Sequence, residues 1–305
     1  MASQLAKVSA GRGIDCGRYH VGANADRRLK YLFGQVSNLL KLRIGIIMML
    51  TALVAMVITP GPQPSGFEML VLCFAVLISA GAAGAFNQYY EVDIDRKVAR
   101  TCTRPFVTGY FRKGPLWLGI IAMLLIVGVV PAALMLNLAT AFYIFLGAFF
   151  YAIVYTVWLK RRSWTNIVIG GASGSFAVLA GAAAVDPNLG PVPIQLALVL
   201  FLWTPSHFWS LAIAKNKDYA RTGVPMLPVI IGKRRCAEVV MLNTLMLVGI
   251  SILPFFYGMS WIYLACAAAG GGYFIYHNYL MIRDSAPRVA MKSFFASLLQ
   301  LVLLL

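Results

Sequence analysis

Apolar residues run along this chain in long unbroken blocks, and polar residues gather in the gaps between them. Met69 to Phe86, for example, contains no charged residue. A membrane-spanning helix needs roughly 20 mostly apolar residues. The blocks predict nine spans, at about 44–59, 67–90, 116–136, 138–158, 165–185, 194–214, 237–257, 260–282 and 292–305. Pro60-Gly61-Pro62, Asn137, Asp186-Pro187-Asn188 and Gly258-Met259-Ser260 punctuate the blocks as tight turns. The expected fold is an all-α polytopic membrane protein, a nine-transmembrane-helix bundle.

Composition agrees with that reading. Of 305 residues, 60% are hydrophobic and only 12% are charged, a balance that excludes a soluble domain of this length. The 26 lysines and arginines sort completely. They lie before or at the start of the first span, between spans two and three, after span four, between spans six and seven, and between spans eight and nine. In a nine-span topology these are all one side, and the opposite loops carry only Glu68 and Asp186. The positive-inside rule makes the basic side cytoplasmic, with the N-terminus inside. The net charge of +16 then describes topology and a cationic face toward anionic lipid headgroups. No nucleic-acid module accompanies it, so no nucleic acid is expected as a partner.

The first 30 residues are polar and lack an apolar centre, and residues 1–38 read as a mobile cytoplasmic tail ahead of a single transmembrane domain, 39–305. Arg12, Arg18, Arg27 and Arg28 would also suit a transit peptide, against which Asp15 and Asp26 count. The cysteines at 16, 73, 102, 236 and 266 form no metal spacing and read as packing residues in a reducing compartment.

Chemistry concentrates in two places. Span two delivers Asn87, Glu91 and Asp95 to its cytoplasmic end, at i, i+4 and i+8. On one continuous helix they form a stripe of oxygen ligands about 12 Å long. Asp93 points elsewhere. Oxygen-only ligands with open positions suit Mg²⁺, which binds through one or two carboxylates plus phosphate oxygens. Arg96, Arg100 and Arg104 follow and suit those phosphates. The plainer reading is a helix end closed by internal salt bridges. Clustered acids at a bilayer boundary are costly, which favours function.

The second place follows span six, in "WTPSHFWSLAIAKNKDYARTGVPMLPV". Its single acid is Asp218. His207, eleven residues earlier, shares a face with it if the helix is continuous, about 16 Å away. Such a histidine is either a hydrogen-bonded structural residue or a group for haem contact or proton transfer. Pro205 would kink the helix and open room beside it. Near the end of span four, Tyr151 and Tyr155 stand i, i+4 above Lys160 and either pack or shelter a carbocation. The glycines of "NIVIGGASGSF" permit close helix approach.

Together these stretches resemble the UbiA-type intramembrane prenyltransferases, and within them the protohaem IX farnesyltransferase (haem O synthase) branch. The resemblance runs from about Leu39 to Leu305. It rests on "KLR" at 41–43, N-x-x-x-E-x-D-x-D followed by "RTCTRP", "YTVWLKRR", "NIVIGG", "TPSHFW", "KDYARTGVPMLPV" and "MKSFFASLL". The acidic pattern alone points to the superfamily; "HFW" with "DY…GVPMLPV" points to the haem branch. Glu91 stands where much of the superfamily has Asp. Ala214 takes the first position of the second D-x-x-x-D motif, leaving Asp218 alone. Ser206 replaces an expected proline, and Cys236 a common threonine.

The resemblance implies an Mg²⁺-dependent prenyltransferase. It would move the farnesyl group of farnesyl diphosphate to a vinyl group of haem B, with addition of water, giving haem O and diphosphate for haem A/O-dependent terminal oxidases. It implies metal binding by Asn87, Glu91, Asp95 and Asp218, with Tyr155 beside them as a catalytic residue. Diphosphate binding would fall to Lys41, Arg43, Arg100, Arg104 and Lys160, and haem contact to His207. The expected setting is a bacterial inner membrane, or alternatively a mitochondrial one, with a downstream haem A synthase as a partner. The competing readings are a UbiA-type enzyme for another acceptor, and a secondary transporter, which would carry ionisable residues and broken helices at mid-membrane. A CDP-alcohol phosphatidyltransferase would need a D-G-x-x-A-R start that the chain lacks. A lipid-bound scaffold protein would release no diphosphate.

Overall fold

The computed structural model describes residues 25–62 and 64–304. The tail through residue 24, with Cys16, lies outside the described residues. All regular structure among them is helical. The elements are α1 (Ala25–Leu39), α2 (Leu42–Ile58), α3 (Gly66–Tyr90), α4 (Val92–Asp95), α5 (Pro105–Thr108), α6 (Pro115–Met135) and α7 (Leu138–Phe149, continued as a π-helix over Phe150–Leu159). They continue with α8 (Asn166–Ala183), α9 (Pro191–Ala214), α10 (Asn216–Thr222), α11 (Leu227–Ile230), α12 (Lys233–Ile252, then a 3₁₀ turn over Leu253–Tyr257), α13 (Trp261–Arg283) and α14 (Pro287–Leu304).

The nine predicted spans correspond in order to α2, α3, α6, α7, α8, α9, α12, α13 and α14. Seven of these are long and apolar enough to cross a bilayer outright. The other two are α2, which forms with α1 a pair bent by 56°, and α13, which has 23 residues but carries His277 and Asn278.

The helix starts follow from the turn residues. Ser65 and Glu68 form a capping box at α3. Asn137 caps α7 and donates from Nδ2 to the Ala183 carbonyl of α8 at 2.8 Å. Asp186 accepts from the Asn188 N–H at 3.0 Å in the turn before α9. Glu68 and Asp186 thus serve backbone geometry. Pro115 and Pro191 open α6 and α9, where a missing N–H costs nothing.

α3 lies against α2 and α6; α8 against α2, α7 and α9; α9 also against α12 and α14; and α13 between α12 and α14. Small residues set the closest approaches, as the glycine run of α8 suggests. A Cβ at Gly181 would sit 1.9 Å from the Ala52 carbonyl oxygen, so α2 and α8 meet backbone to backbone there. Buried hydroxyls and amides tie the second half together. Ser206 Oγ of α9 accepts from Asn243 Nδ2 (2.7 Å) and Thr244 Oγ1 (2.9 Å) of α12. Asn278 of α13 donates to Thr244 Oγ1 (2.8 Å) and accepts from Ser293 of α14. An apolar cavity of about 310 Å³ lies between α2, α8, α9, α13 and α14, lined by Ala55, Val178, Leu200, Tyr263 and Leu301 among others.

Two expectations of continuity are corrected. Asn87, Glu91 and Asp95 do not lie on one helix: α3 ends at Tyr90, and Glu91 (φ −97°, ψ 18°) links it to α4. The i to i+4 bonds survive the break, from Glu91 N–H to Asn87 (3.0 Å) and Asp95 N–H to Glu91 (2.9 Å), so the stripe persists. His207 and Asp218 do not share a helix face, because α9 ends at Ala214 and Lys215 (φ −106°) starts α10 in a new direction. Both breaks fall where charged residues leave the apolar layer. α9 itself runs unbroken past Pro205.

Candidate active site

Asn87, Glu91 and Asp95 are 1%, 1% and 3% exposed, although all are polar. Each faces a cation. Lys41 Nζ donates to Asn87 Oδ1 at 2.6 Å and to the Tyr151 hydroxyl at 2.7 Å. Lys160 Nζ meets Glu91 Oε2 at 2.5 Å. Arg104 meets Asp95 Oδ2 at 2.7 Å. Asp93 points outward, as expected, and forms a two-pronged pair with Arg161 at 2.7 and 2.9 Å. Burial pushes the Asp95 carboxyl above the usual carboxylate range, against the opposing pull of the Arg104 guanidinium.

The surrounding elements explain these positions. Lys41 occupies the left-handed region (φ 50°, ψ 43°) at the bend between α1 and α2, a conformation costing a non-glycine residue about 1–2 kcal/mol. The bend is held from α3. Gln88 Nε2 donates to the Asn38 carbonyl at 2.6 Å, and Gly84 leaves room for the Leu40 carbonyl and the Lys41 side chain, from which a Cβ there would lie 3.3 and 3.4 Å. Tyr151 and Tyr155 stack at 5.6 Å, and the ammonium groups of Lys41 and Lys160 lie over their rings at 5.2 and 5.4 Å. Both tyrosines sit in the π-helix, a feature frequent at functional sites. Its wider turn places Thr156, wholly buried, to accept from Asn87 Nδ2 at 3.0 Å while donating to the Tyr151 carbonyl at 2.8 Å.

Lys41, Asn87, Glu91, Asp95, Arg104, Lys160, Tyr151 and Tyr155 therefore form one cluster. Arg43 and Arg100 are exposed and make no ion pair with the row. Asp218 is half-buried on α10, whose Arg221 donates to the Lys97 carbonyl beyond α4. Among the described residues, no three acidic, histidine or cysteine side chains converge at metal-binding distances, so Asp218 does not close a cluster with Glu91 and Asp95. His207 lies apart, on α9 against α14, with its Nδ1 2.7 Å from Ser297 Oγ.

Sequence reasoning missed Thr156, Gln88 and the π-helix. Thr156 and Gln88 were visible only as polar residues in or beside apolar runs. The Asn243, Asn278 and Ser293 network gave the same weak signal.

The donor set fits a small hard cation. Glu91 Oε1 is buried with no hydrogen-bond partner, an acceptor left open beside two further oxygen ligands. A divalent cation on those oxygens would free Lys41, Lys160 and Arg104, which are the donors a polyphosphate needs. The cluster can thus hold a doubly charged cation and a polyanion side by side.

Comparisons with known proteins place the chain in a family. The chain is 52% identical over 271 residues to protoheme IX farnesyltransferase 2 of Paramagnetospirillum magneticum, covering 88% of this chain and 94% of the relative. It is 45% identical over 278 residues to protoheme IX farnesyltransferase 1 of the same organism, covering 89% and 96%. Among solved structures, a digeranylgeranylglyceryl phosphate synthase superimposes with a TM-score of 0.75 at 19% identity, over 89% of this chain and 95% of that one. A UbiA homologue from Archaeoglobus fulgidus bound to GPP and Mg²⁺ gives a TM-score of 0.66 at 15% identity, over 88% and 99%. These two likenesses concern the fold. Residues 48–299 match the UbiA prenyltransferase family, and the chain belongs to it.

Proposed function

We propose that this protein transfers the farnesyl group of farnesyl diphosphate to a vinyl group of haem B, with addition of water, releasing diphosphate and haem O for haem A/O-dependent terminal oxidases. The observation that carries the chemistry is the buried row of Asn87, Glu91 and Asp95, each facing a cation. The names of the relatives, protoheme IX farnesyltransferases at up to 52% identity, support the choice of substrates. The catalytic unit is residues 39–305, and the site faces the cytoplasm of a bacterial inner membrane, as the basic end supports.

Bound Mg²⁺ would neutralise charge that grows on the leaving diphosphate. Asn87 of α3, Glu91 of the link and Asp95 of α4 would hold it. With no three carboxylates converging among the described residues, Asp218 is proposed to join them by holding a cation on the far side of the diphosphate, since a carboxylate and a bare diphosphate repel. Lys41, Arg104 and Lys160, with the exposed Arg43 and Arg100, bind the remaining phosphate oxygens. As the allylic C–O bond ionises, the stacked Tyr151 and Tyr155 rings shield the farnesyl cation from early water. The farnesyl tail lies in the apolar interior among the spans. His207 binds the haem, the vinyl group attacks the cation, and water captures the carbocation left on the side chain with loss of a proton.

The test is to incubate the purified protein with Mg²⁺, haem B and prenyl diphosphates of several lengths, and to weigh the haem. A mass gain equal to a farnesyl group plus a hydroxyl group is expected with farnesyl diphosphate. Unmodified haem beside a prenylated second acceptor would favour another UbiA-type reaction, and no diphosphate release at all would refute the enzymatic reading.

A further inference from the structure

α1 meets α2 at a bend of 56° and does not continue its direction. The stretch Leu29–Leu39 therefore advances only about 9 Å along the line of α2, at a rise of 1.5 Å per residue. One headgroup layer is about 5–8 Å thick. A helix at this slope crosses that layer obliquely over nearly its whole length.

The side chains of α1 divide into three sectors. Tyr31, Gln35 and Leu39, four residues apart, face the bundle: the Tyr31 ring meets Tyr110 edge-on at 5.1 Å, Gln35 Oε1 is buried, and Leu39 packs in a cluster with Phe106 and Ile121. Lys30, Gly34 and Asn38, also four apart, form an exposed sector with no large apolar side chain. On the remaining side Leu29, Leu32, Phe33 and Val36 fall within about 100° of arc at 3.6 residues per turn. Leu29 is 67% exposed and Phe33 71%, and Leu32 is exposed between them. A helix surrounded by water carries polar residues on such a face.

Two observations say what covers it. Exposed apolar residues resume directly past the bend, at Ile44, Ile46, Ile47 and Leu50 of α2, a span whose outer surface meets lipid. The Tyr31–Tyr110 contact also fixes the level of α1. Tyr110 belongs to an aromatic group with Phe106, Phe111 and Trp117 at the start of α6, where Leu116 and Leu118 are already exposed. Aromatic groups of this kind mark the headgroup level at which a span enters the bilayer. Lys30 beside Tyr31, and Arg112 and Lys113 just after Tyr110, are exposed cations at the same level, complementary to anionic headgroups.

We propose that α1 is an interfacial helix: Leu29, Leu32 and Phe33 sit among the acyl chains of the leaflet on the basic side of the bundle, and the cations around Tyr31 and Tyr110 hold anionic headgroups above them. The inference holds whichever acceptor the enzyme uses.

The test uses the full-length protein in nanodiscs of mixed phosphatidylcholine and phosphatidylglycerol. The photoreactive residue benzoylphenylalanine replaces Phe33, or Ile47 as a lipid-facing control, or Gly34 as a control in the polar sector, and the adducts are weighed after irradiation. Phospholipid adducts are expected at 33 and 47, with a lower yield at 34. Phosphatidylglycerol should exceed its share of the bilayer about fivefold among the adducts at 33, the preference that one basic residue near the surface confers. In the same nanodiscs Phe33→Glu is expected to speed tryptic cleavage after Lys30 at least about tenfold, the equilibrium cost of exposing one phenylalanine, and Phe33→Trp to leave it unchanged. Lipid adducts at 47 with none at 33, or yields at 33 and 34 that match, put the face in water and overturn the proposal. Adducts at 33 to a second copy of the chain overturn it in favour of a dimer face. Phe33→Glu cleaved at the wild-type rate overturns the anchoring, and phosphatidylglycerol at no more than its share overturns the headgroup contact.

Discussion

Replacing Lys160 with Met isolates the electrostatics of the cluster. Glu91 is 1% exposed, one of its oxygens meets Lys160 at 2.5 Å, and the other has no partner. Met keeps most of the side-chain volume and removes the charge. A carboxylate that loses its partner in a buried place destabilises the fold by about 3–5 kcal/mol. The Lys160 side chain is 15% exposed, which places the loss toward the lower end. At about 2 °C per kcal/mol for a chain of this size, the melting temperature should fall by roughly 6 °C. The same variant should gain more from Mg²⁺ than the wild type does. In the wild type a cation entering the site must first displace the Lys160 ammonium from Glu91; in Lys160→Met the carboxylate is waiting. A ligand at 100 times its dissociation constant stabilises by about 2.7 kcal/mol, so Mg²⁺ should recover most of the loss. The assay is thermal unfolding in detergent over a Mg²⁺ titration, with Ca²⁺-free buffer and an EDTA baseline. A variant that melts with the wild type, or that gains no more from Mg²⁺ than the wild type gains, refutes the reasoning.

Glu91→Gln and Asp95→Asn should each lower kcat at least about a hundredfold at saturating Mg²⁺, by the usual cost of losing a preorganised electrostatic group, read by diphosphate release. Near-normal turnover would remove these residues from the metal site. Because burial raises the Asp95 pKa, its proton competes with the metal from the acidic side. The apparent KM for Mg²⁺ should therefore climb as pH falls, starting above the ordinary aspartate value of about 3.9, and a KM flat down to that value would contradict this. Gly181→Ala should cost about 1–3 kcal/mol or prevent folding, because its Cβ would lie 1.9 Å from the Ala52 carbonyl, while Gly119→Ala, with nothing within 4 Å, should be tolerated; equal melting temperatures would refute the close contact.

The sequence by itself determined the class, the order of the spans and the side on which the charge gathers. Lipid demands about 20 apolar residues per crossing and rejects charge, so topology is written in composition one segment at a time. The period of four that places Asn87, Glu91 and Asp95 together is also local, and it survives the break at Glu91. What only the tertiary structure decided is which groups answer one another across the bundle. Lys41, Lys160 and Arg104 select different oxygens of the row, and Thr156 holds Asn87 because the π-helix shifts its register. Gln88 sets the left-handed bend that aims Lys41. Those pairings join residues 9 to 69 positions apart, and no local period encodes them. The breaks at Glu91 and Lys215 were hidden for the same reason: a helix ends where burial of its neighbours ends, and that boundary belongs to the assembled bundle. His207 shows the limit most plainly. Its place in an apolar run was legible, but its hydrogen-bond partner, the Ser297 hydroxyl 2.7 Å from Nδ1, lies 90 residues away.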